Sequence, residues 1–358
     1  MPNQLHSSKP ISSSRFSVLS FLFFLSGASG LILQVVWMYR LGLIFGNAAY
    51  ATAATLAAFF LGLAIGGWFL GNASAQFKRP LFAYGLMEIG IALTALLLIP
   101  GIEFYETHYA SLVSLTNGKQ SLLTVLKFVF SIILLLFPTV LMGGTFPVLA
   151  QFIGKEKRQL ANRGTILYAV NTLGASIGAL LAGFFLLSKY GVDATYYFTI
   201  VLVASIGLSA ILMDRLFVTN KETSVIKKDN KVSKTITKLD NINYLELKIL
   251  AFSSGLLALS IETIWTKMFA QVLQNSIYSF SAILVVFLFS LGIGGILSHK
   301  LVKVSSHPKY VLLILLSLGA IAVGFSPYVF NTLTNGLGYL APSASWSAYL
   351  IAVFKLSF

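Results

Sequence analysis

The chain has 358 residues, of which 57% are hydrophobic and 10% charged, and its mean hydropathy is +0.85. Soluble domains carry about 25% charged residues, so this composition excludes an ordinary soluble enzyme and points to an all-α integral membrane protein. The absence of cysteine rules out disulfides and thiolate metal sites. The net charge of +14 is dispersed over short segments between apolar runs instead of lining one groove, which argues against nucleic acid as a partner.

Residues 1–16 are polar and Ser-rich and read as a cytoplasmic tail. The apolar run after Arg15 is too long for a signal-peptide core and ends without a small-residue cleavage site, so it reads as an uncleaved first span. A membrane helix needs about 20 mostly apolar residues. On that measure ten spans run roughly over 17–39, 48–70, 81–102, 121–153, 165–188, 194–213, 246–270, 276–298, 310–330 and 345–358. Within the fourth, Pro138 and Pro147 bracket Gly143 and Gly144. The prolines remove backbone hydrogen bonds and the glycines lower the cost of bending, so these four residues are expected to form a kink or a partly unwound hinge. Between the sixth and seventh spans, residues 215–245 contain Lys227-Lys228-Asp229-Asn230-Lys231 and too few apolar side chains to bury. That stretch reads as a flexible basic cytoplasmic linker. It divides a first half of six spans, 17–214, from a second of about four, 246–358, which is expected to be incomplete.

The two halves are related. Ser26-Gly27, Trp37, Asn47, Tyr50, Leu63 and Ile65-Gly66-Gly67 return without a gap as Ser254-Gly255, Trp265, Asn275, Tyr278, Leu291 and Ile293-Gly294-Gly295. A repeated pair of membrane helices is the plan of many secondary transporters. Orientation follows from basic residues, which stay in the cytoplasm. With the N-terminus inside, cytoplasmic segments hold Lys78, Arg79, Lys155, Lys157, Arg158, Arg163, the series from Arg215 to Lys248, and Lys300, Lys303 and Lys309. The opposite face has only Arg40, Lys119, Lys127, Lys189 and Lys267. The lipid bilayer is thus the main partner, and its anionic head groups account for the basic balance.

Charges inside a span cost roughly 2.5–3.5 kcal/mol at mid-membrane, so an acid there is a functional candidate. Glu88 in the third span and Glu262 in the seventh are the two such acids, and Gln34, which occupies the place of Glu262 in the first repeat, and Asn171 are neutral partners. Together they would bind a proton and a small cationic substrate. The plainer alternative is that each carboxyl hydrogen-bonds a neighbouring helix. Arg40, Lys127 and Lys267 lie close enough to the outer face to snorkel, and Trp37 and Trp265 read as aromatic-belt residues. His6, His108, His299 and His307 fall in the tail or loops without metal-ligand spacing, so no metal and no cofactor is expected. Gly62-x-x-x-Gly66, Gly67-x-x-x-Gly71 and Gly174-x-x-x-Gly178 predict that the second and fifth spans press against other helices.

Four blocks carry a family resemblance: residues 26–37, residues 57–67, Phe137-Pro-Thr-Val-Leu-Met-Gly-Gly-Thr-Phe-Pro147, and Leu167 to Gly183. In this order they resemble the membrane module of the bacterial fused major-facilitator/spermidine synthase proteins, over most of residues 17–300. The resemblance implies a major-facilitator-like bundle in a bacterial inner membrane. It also implies a soluble spermidine-synthase-like aminopropyltransferase domain or subunit as partner, for which this chain has no glycine-rich nucleotide-binding turn. Two departures bear on mechanism. Gln34 stands where the family is expected to show Glu, and residues 67–79 lack the acid that major-facilitator loops pair with arginine. Three functions follow as expectations: a carrier for a small, polyamine-like metabolite, a membrane anchor for an aminopropyltransferase, and a non-transporting scaffold.

Overall fold

The computed structural model describes residues 13–46, 48–153, 157–219, 244–272, 277–304 and 308–338. The tenth predicted span, 345–358, and most of the predicted linker lie outside the described residues, as do His6 and His307. Among the described residues there is no strand. The helices are α1 (Ser13–Phe45), α2 (Ala48–Ser74), α3 (Pro80–Leu115), α4 (Gln120–Ile153), α5 (Lys157–Leu181), α6 (Leu187–Thr219), α7 (Tyr244–Val272), α8 (Ile277–Val304) and α9 (Pro308–Leu333). Helices are what such apolar segments must form, because lipid offers no partner for backbone N–H and C=O groups.

Eight helical stretches are long and apolar enough to cross a membrane. One of them, Arg163–Leu216, has 54 residues and would reach about 80 Å at 1.5 Å per residue, far beyond a hydrocarbon core of about 30 Å. It is broken at Gly191, whose φ of 80° and ψ of 176° lie in a region only glycine enters freely. A short π-helical turn at Ala182–Leu186 precedes the break. The chain therefore turns at Gly191, within the first turns of α6, close to where two separate spans are expected to meet. Several boundaries differ from the sequence reading. Helix α3 continues to Leu115 through Pro100, and its extension stays packed because Tyr105 stacks on Phe130 of α4, 4.9 Å between ring centroids. Helix α6 continues to Thr219 and α7 starts at Tyr244, so both invade the stretch assigned to the linker.

Glycines set the packing. A Cβ on Gly174 or Gly178 of α5 would overlap the backbone of Phe24 or Ala28, so α5 lies against α1 and runs parallel to it. Gly62 faces Thr139, Gly66 faces Val140 and Gly143 faces Leu63, which seats α2 on α4 in parallel. Gly85 and Gly207 each face the other's carbonyl oxygen, so α3 crosses α6 antiparallel. The prediction that the second and fifth spans are pressed against neighbours holds, for the reason given: without a hydrophobic drive in lipid, close backbone contact supplies the attraction. Helix α4 does not unwind at Pro138, Gly143, Gly144 and Pro147. It remains helical through all four, and its glycines form the surface that accepts α2.

Each end of the first six helices is closed by an ion pair. At one end Arg79 grips Asp214 of α6, with Nε donating to Oδ2 at 2.7 Å, which supplies the acid missing from residues 67–79. At the other end Arg40 pairs with Asp193 and lies over the Tyr196 ring. Lys127 is buried instead of snorkelling, its ammonium 5.5 Å from the centroid of the Tyr109 ring. Trp37 is not in an interfacial belt either. It is 1% exposed, and its indole N–H donates to the Tyr196 hydroxyl at 3.2 Å, which in turn donates to the Ala95 carbonyl at 2.6 Å.

The repeat reaches further than two helices. Helices α3 and α9 begin at Pro80 and Pro308, 228 positions apart as Trp37 and Trp265 are. The Trp265 indole donates to Ser326 Oγ at 3.2 Å, and Ser326 donates to the Val323 carbonyl at 2.8 Å. Val323 is the repeat equivalent of Ala95. In both halves, then, a tryptophan of the first helix reaches one carbonyl of the third through a single hydroxyl. Between the halves α5 packs antiparallel on α8, where Ser176 Oγ donates to the Val285 carbonyl at 3.0 Å and Gly183 faces Ser281.

Candidate functional site

Glu262 sits ten residues before the end of α7, about 15 Å along the axis and so near the middle of a bilayer core. It is 2% exposed, and its Oε2 has no hydrogen-bond partner among the described residues. A buried polar atom without a partner costs about 1–3 kcal/mol, and a charged one more. Glu262 borders a cavity of about 550 Å³ between α2 and α7, that is, between the two halves. Volumes of 300–1,000 Å³ are usual for small-molecule sites.

The α2 wall presents Tyr50, Thr52, Leu56 and Phe60, and the α7 wall presents Leu259, Thr263, Thr266 and Lys267 beside Glu262. The two α7 threonines spend their protons within the helix. Thr263 Oγ1 donates to the Leu259 carbonyl at 2.8 Å and Thr266 Oγ1 to that of Glu262 at 2.7 Å. Their lone pairs remain free, so the wall around Glu262 is rich in acceptors and suits a donor-bearing ligand such as an ammonium.

The other three predicted site residues are elsewhere. Glu88 is 1% exposed and accepts a hydrogen bond from Ser26 Oγ at 2.6 Å, tying α3 to α1. The Tyr84 hydroxyl lies beside the same carboxyl without a hydrogen bond of ordinary geometry. Gly207 of α6 closes over the Glu88 stem. Asn171 is spent on packing, its Nδ2 donating to the Phe23 carbonyl at 2.9 Å while its own carbonyl meets Gly27. Gln34 is buried in α1, away from the cavity wall. The four residues therefore do not converge, and Glu262 alone of them opens on the cavity.

Lys267, read from the sequence as an outer anchor, also lines this cavity, a role that the sequence reading did not give it. Five residues from Glu262 is a spacing that puts two side chains on different faces of a helix, so only the cavity's extent around α7 brings them together. Tyr50, which recurs as Tyr278, was marked by the repeat but not by any chemical pattern. Among the described residues no three His, Asp or Glu side chains gather to hold a metal ion. Set against known families, curated proteins and solved structures, the chain matches none.

Proposed function

We propose that this protein is a membrane carrier for a small amine-bearing metabolite, bound in the cavity between α2 and α7. The observation that carries the reading is the unpartnered, buried carboxyl oxygen of Glu262 at the junction of the halves. A carboxylate without a counter-ion at this depth costs about 2.5–3.5 kcal/mol, and either a proton or a bound ammonium removes that cost. The group can thus be filled alternately by one or the other as the halves rock about the site.

The pairing of α1 with α5, α2 with α4 and α3 with α6, and the antiparallel contact of α5 with α8, support a major-facilitator-like bundle of two halves. The weight of Lys and Arg on one side supports a cytoplasmic N-terminus and linker. The resemblance of residues 17–300 to the fused major-facilitator/spermidine synthase proteins supports a bacterial inner membrane and an amine as the substrate.

The test is uptake of labelled small amines, 4-aminobutyrate as well as putrescine, into vesicles reconstituted with the whole chain, against empty vesicles. A charge-assisted hydrogen bond contributes about 1.5–3 kcal/mol, so Glu262→Gln should lower uptake about 10- to 100-fold while leaving thermal unfolding in detergent unchanged. Equal flux in empty vesicles, or full uptake by the variant, would remove the proposal.

A further inference from the structure

We infer that the ligand of this cavity is a zwitterion of the amino-acid class, with an ammonium for Glu262 and a carboxylate for Lys267; this rests on the carrier reading above. Lys267 lines the same cavity. Five residues advance about 7.5 Å along a helix and about 140° around it, so the two charges approach the cavity from different sides. They do not join: among the described residues no carboxylate lies within ion-pair distance of Lys267, and Glu262 Oε2 stays unpartnered. Two opposite charges on one wall, about 7.5 Å apart along the helix axis and not paired with each other, are complementary to a molecule that carries both.

The internal repeat supplies a second line of argument. The equivalents of Glu262 and Lys267 in α1 are Gln34 and Tyr39, both neutral. Within residues 254–272 these are the two charged side chains, whereas the twin stretch 26–44 holds one, Arg40, so α7 differs by the added acid Glu262 and by a basic residue one position earlier, and both Glu262 and Lys267 border the cavity. A site made only for a cation would not need the lysine, and like charges brought together oppose binding. A diamine would set its second ammonium against Lys267. A single lysine balances one negative charge, which fits a carboxylate better than a phosphate carrying nearly two. With a zwitterion bound, carboxylate meets ammonium at both ends and the filled cavity is neutral overall.

The experiment uses the whole chain in vesicles and two probes, 4-aminobutyrate and putrescine. Both have a four-carbon chain and one terminal ammonium, and they differ at the other end in carboxylate against ammonium. The wild type should take up 4-aminobutyrate at least tenfold faster than putrescine at equal low concentration. Lys267→Gln should erase or reverse that ratio, Lys267→Arg should preserve it, and Glu262→Gln should depress both probes. Faster uptake of putrescine by the wild type, or a ratio unchanged in Lys267→Gln, would overturn the zwitterion inference and leave the amine carrier standing. No uptake of either probe above empty vesicles, in a protein that unfolds cooperatively, would overturn both.

Discussion

Replacing Gly66 by alanine should push α2 away from α4. An added methyl would overlap the carbonyl oxygen, carbonyl carbon and Cα of Val140, all of them main-chain atoms that cannot rotate aside. At Gly144, by contrast, the obstacle would be the flexible side chain of Leu70. Overpacking of this kind costs about 1–3 kcal/mol, and the better helix propensity of alanine returns at most about 1 kcal/mol. Because Gly62 and Gly143 close the same seam, a shift at Gly66 also loosens their contacts with Thr139 and Leu63. The net loss is then about 1–2 kcal/mol, which corresponds to a fall of roughly 2–8 °C if chains of this size follow the slope of about 2–4 °C per kcal/mol. The assay is thermal unfolding of detergent-purified protein, followed by the size-exclusion peak remaining after heating. Gly30→Ala is the control, since among the described residues no atom of another helix lies within 4 Å of where its methyl would sit, and its midpoint should stay level or rise. A Gly66→Ala midpoint at or above the wild type would refute the claim that backbone contact holds this seam.

The two ion pairs should differ in strength. In double-mutant cycles by thermal unfolding, Arg79 and Asp214, whose carboxylate is 7% exposed, should couple by about 1–3 kcal/mol. Arg40 and Asp193, the latter 79% exposed, should couple by less than about 1 kcal/mol and lose that in high salt; the reverse order would discredit the burial argument. Glu88→Gln should keep both stability and uptake close to wild type, because the amide oxygen still accepts from Ser26. Glu88→Ala should cost about 1–3 kcal/mol by stranding that hydroxyl, and a selective loss of uptake in Glu88→Gln would instead make Glu88 part of the transport site. Gly191→Ala should destabilise the fold by about 1–2 kcal/mol, read as a lower unfolding midpoint, since its φ of 80° is strained for any residue with a Cβ.

Most of the fold was legible because lipid leaves so few choices. Apolar length located each described span, and small residues at four-residue spacing named the faces that meet. Helix ends were read less well, because α3 stays helical on contacts such as Tyr105 with Phe130, which no window of hydropathy contains. Proline and glycine in α4 read as a hinge, and only the neighbouring helix shows that the glycines are also a seat for α2. At the site, the cost of burying charge singled out both Glu262 and Glu88, and the repeat set Glu262 opposite Gln34. What separates them is Ser26, which satisfies one carboxyl and has no counterpart at the other among the described residues. Lys267 was hidden by its spacing, since a helical wheel sends it away from Glu262.

The paired tryptophan links also set an order of assembly during synthesis. Trp37 waits for Tyr196, 159 residues later, while Trp265 needs only Ser326, 61 residues on. At roughly 5–20 residues per second, the first link must stay open for about 8–30 s of translation and the second for about 3–12 s. Until α6 emerges, the indole of Trp37 lies in the membrane without its hydroxyl, and α1 and α3 are joined through Ser26 and Glu88 without the tryptophan link, whereas Trp265 can reach Ser326 as soon as α7 and α9 have entered the bilayer. The half that is made first is therefore the half whose tryptophan link waits longer.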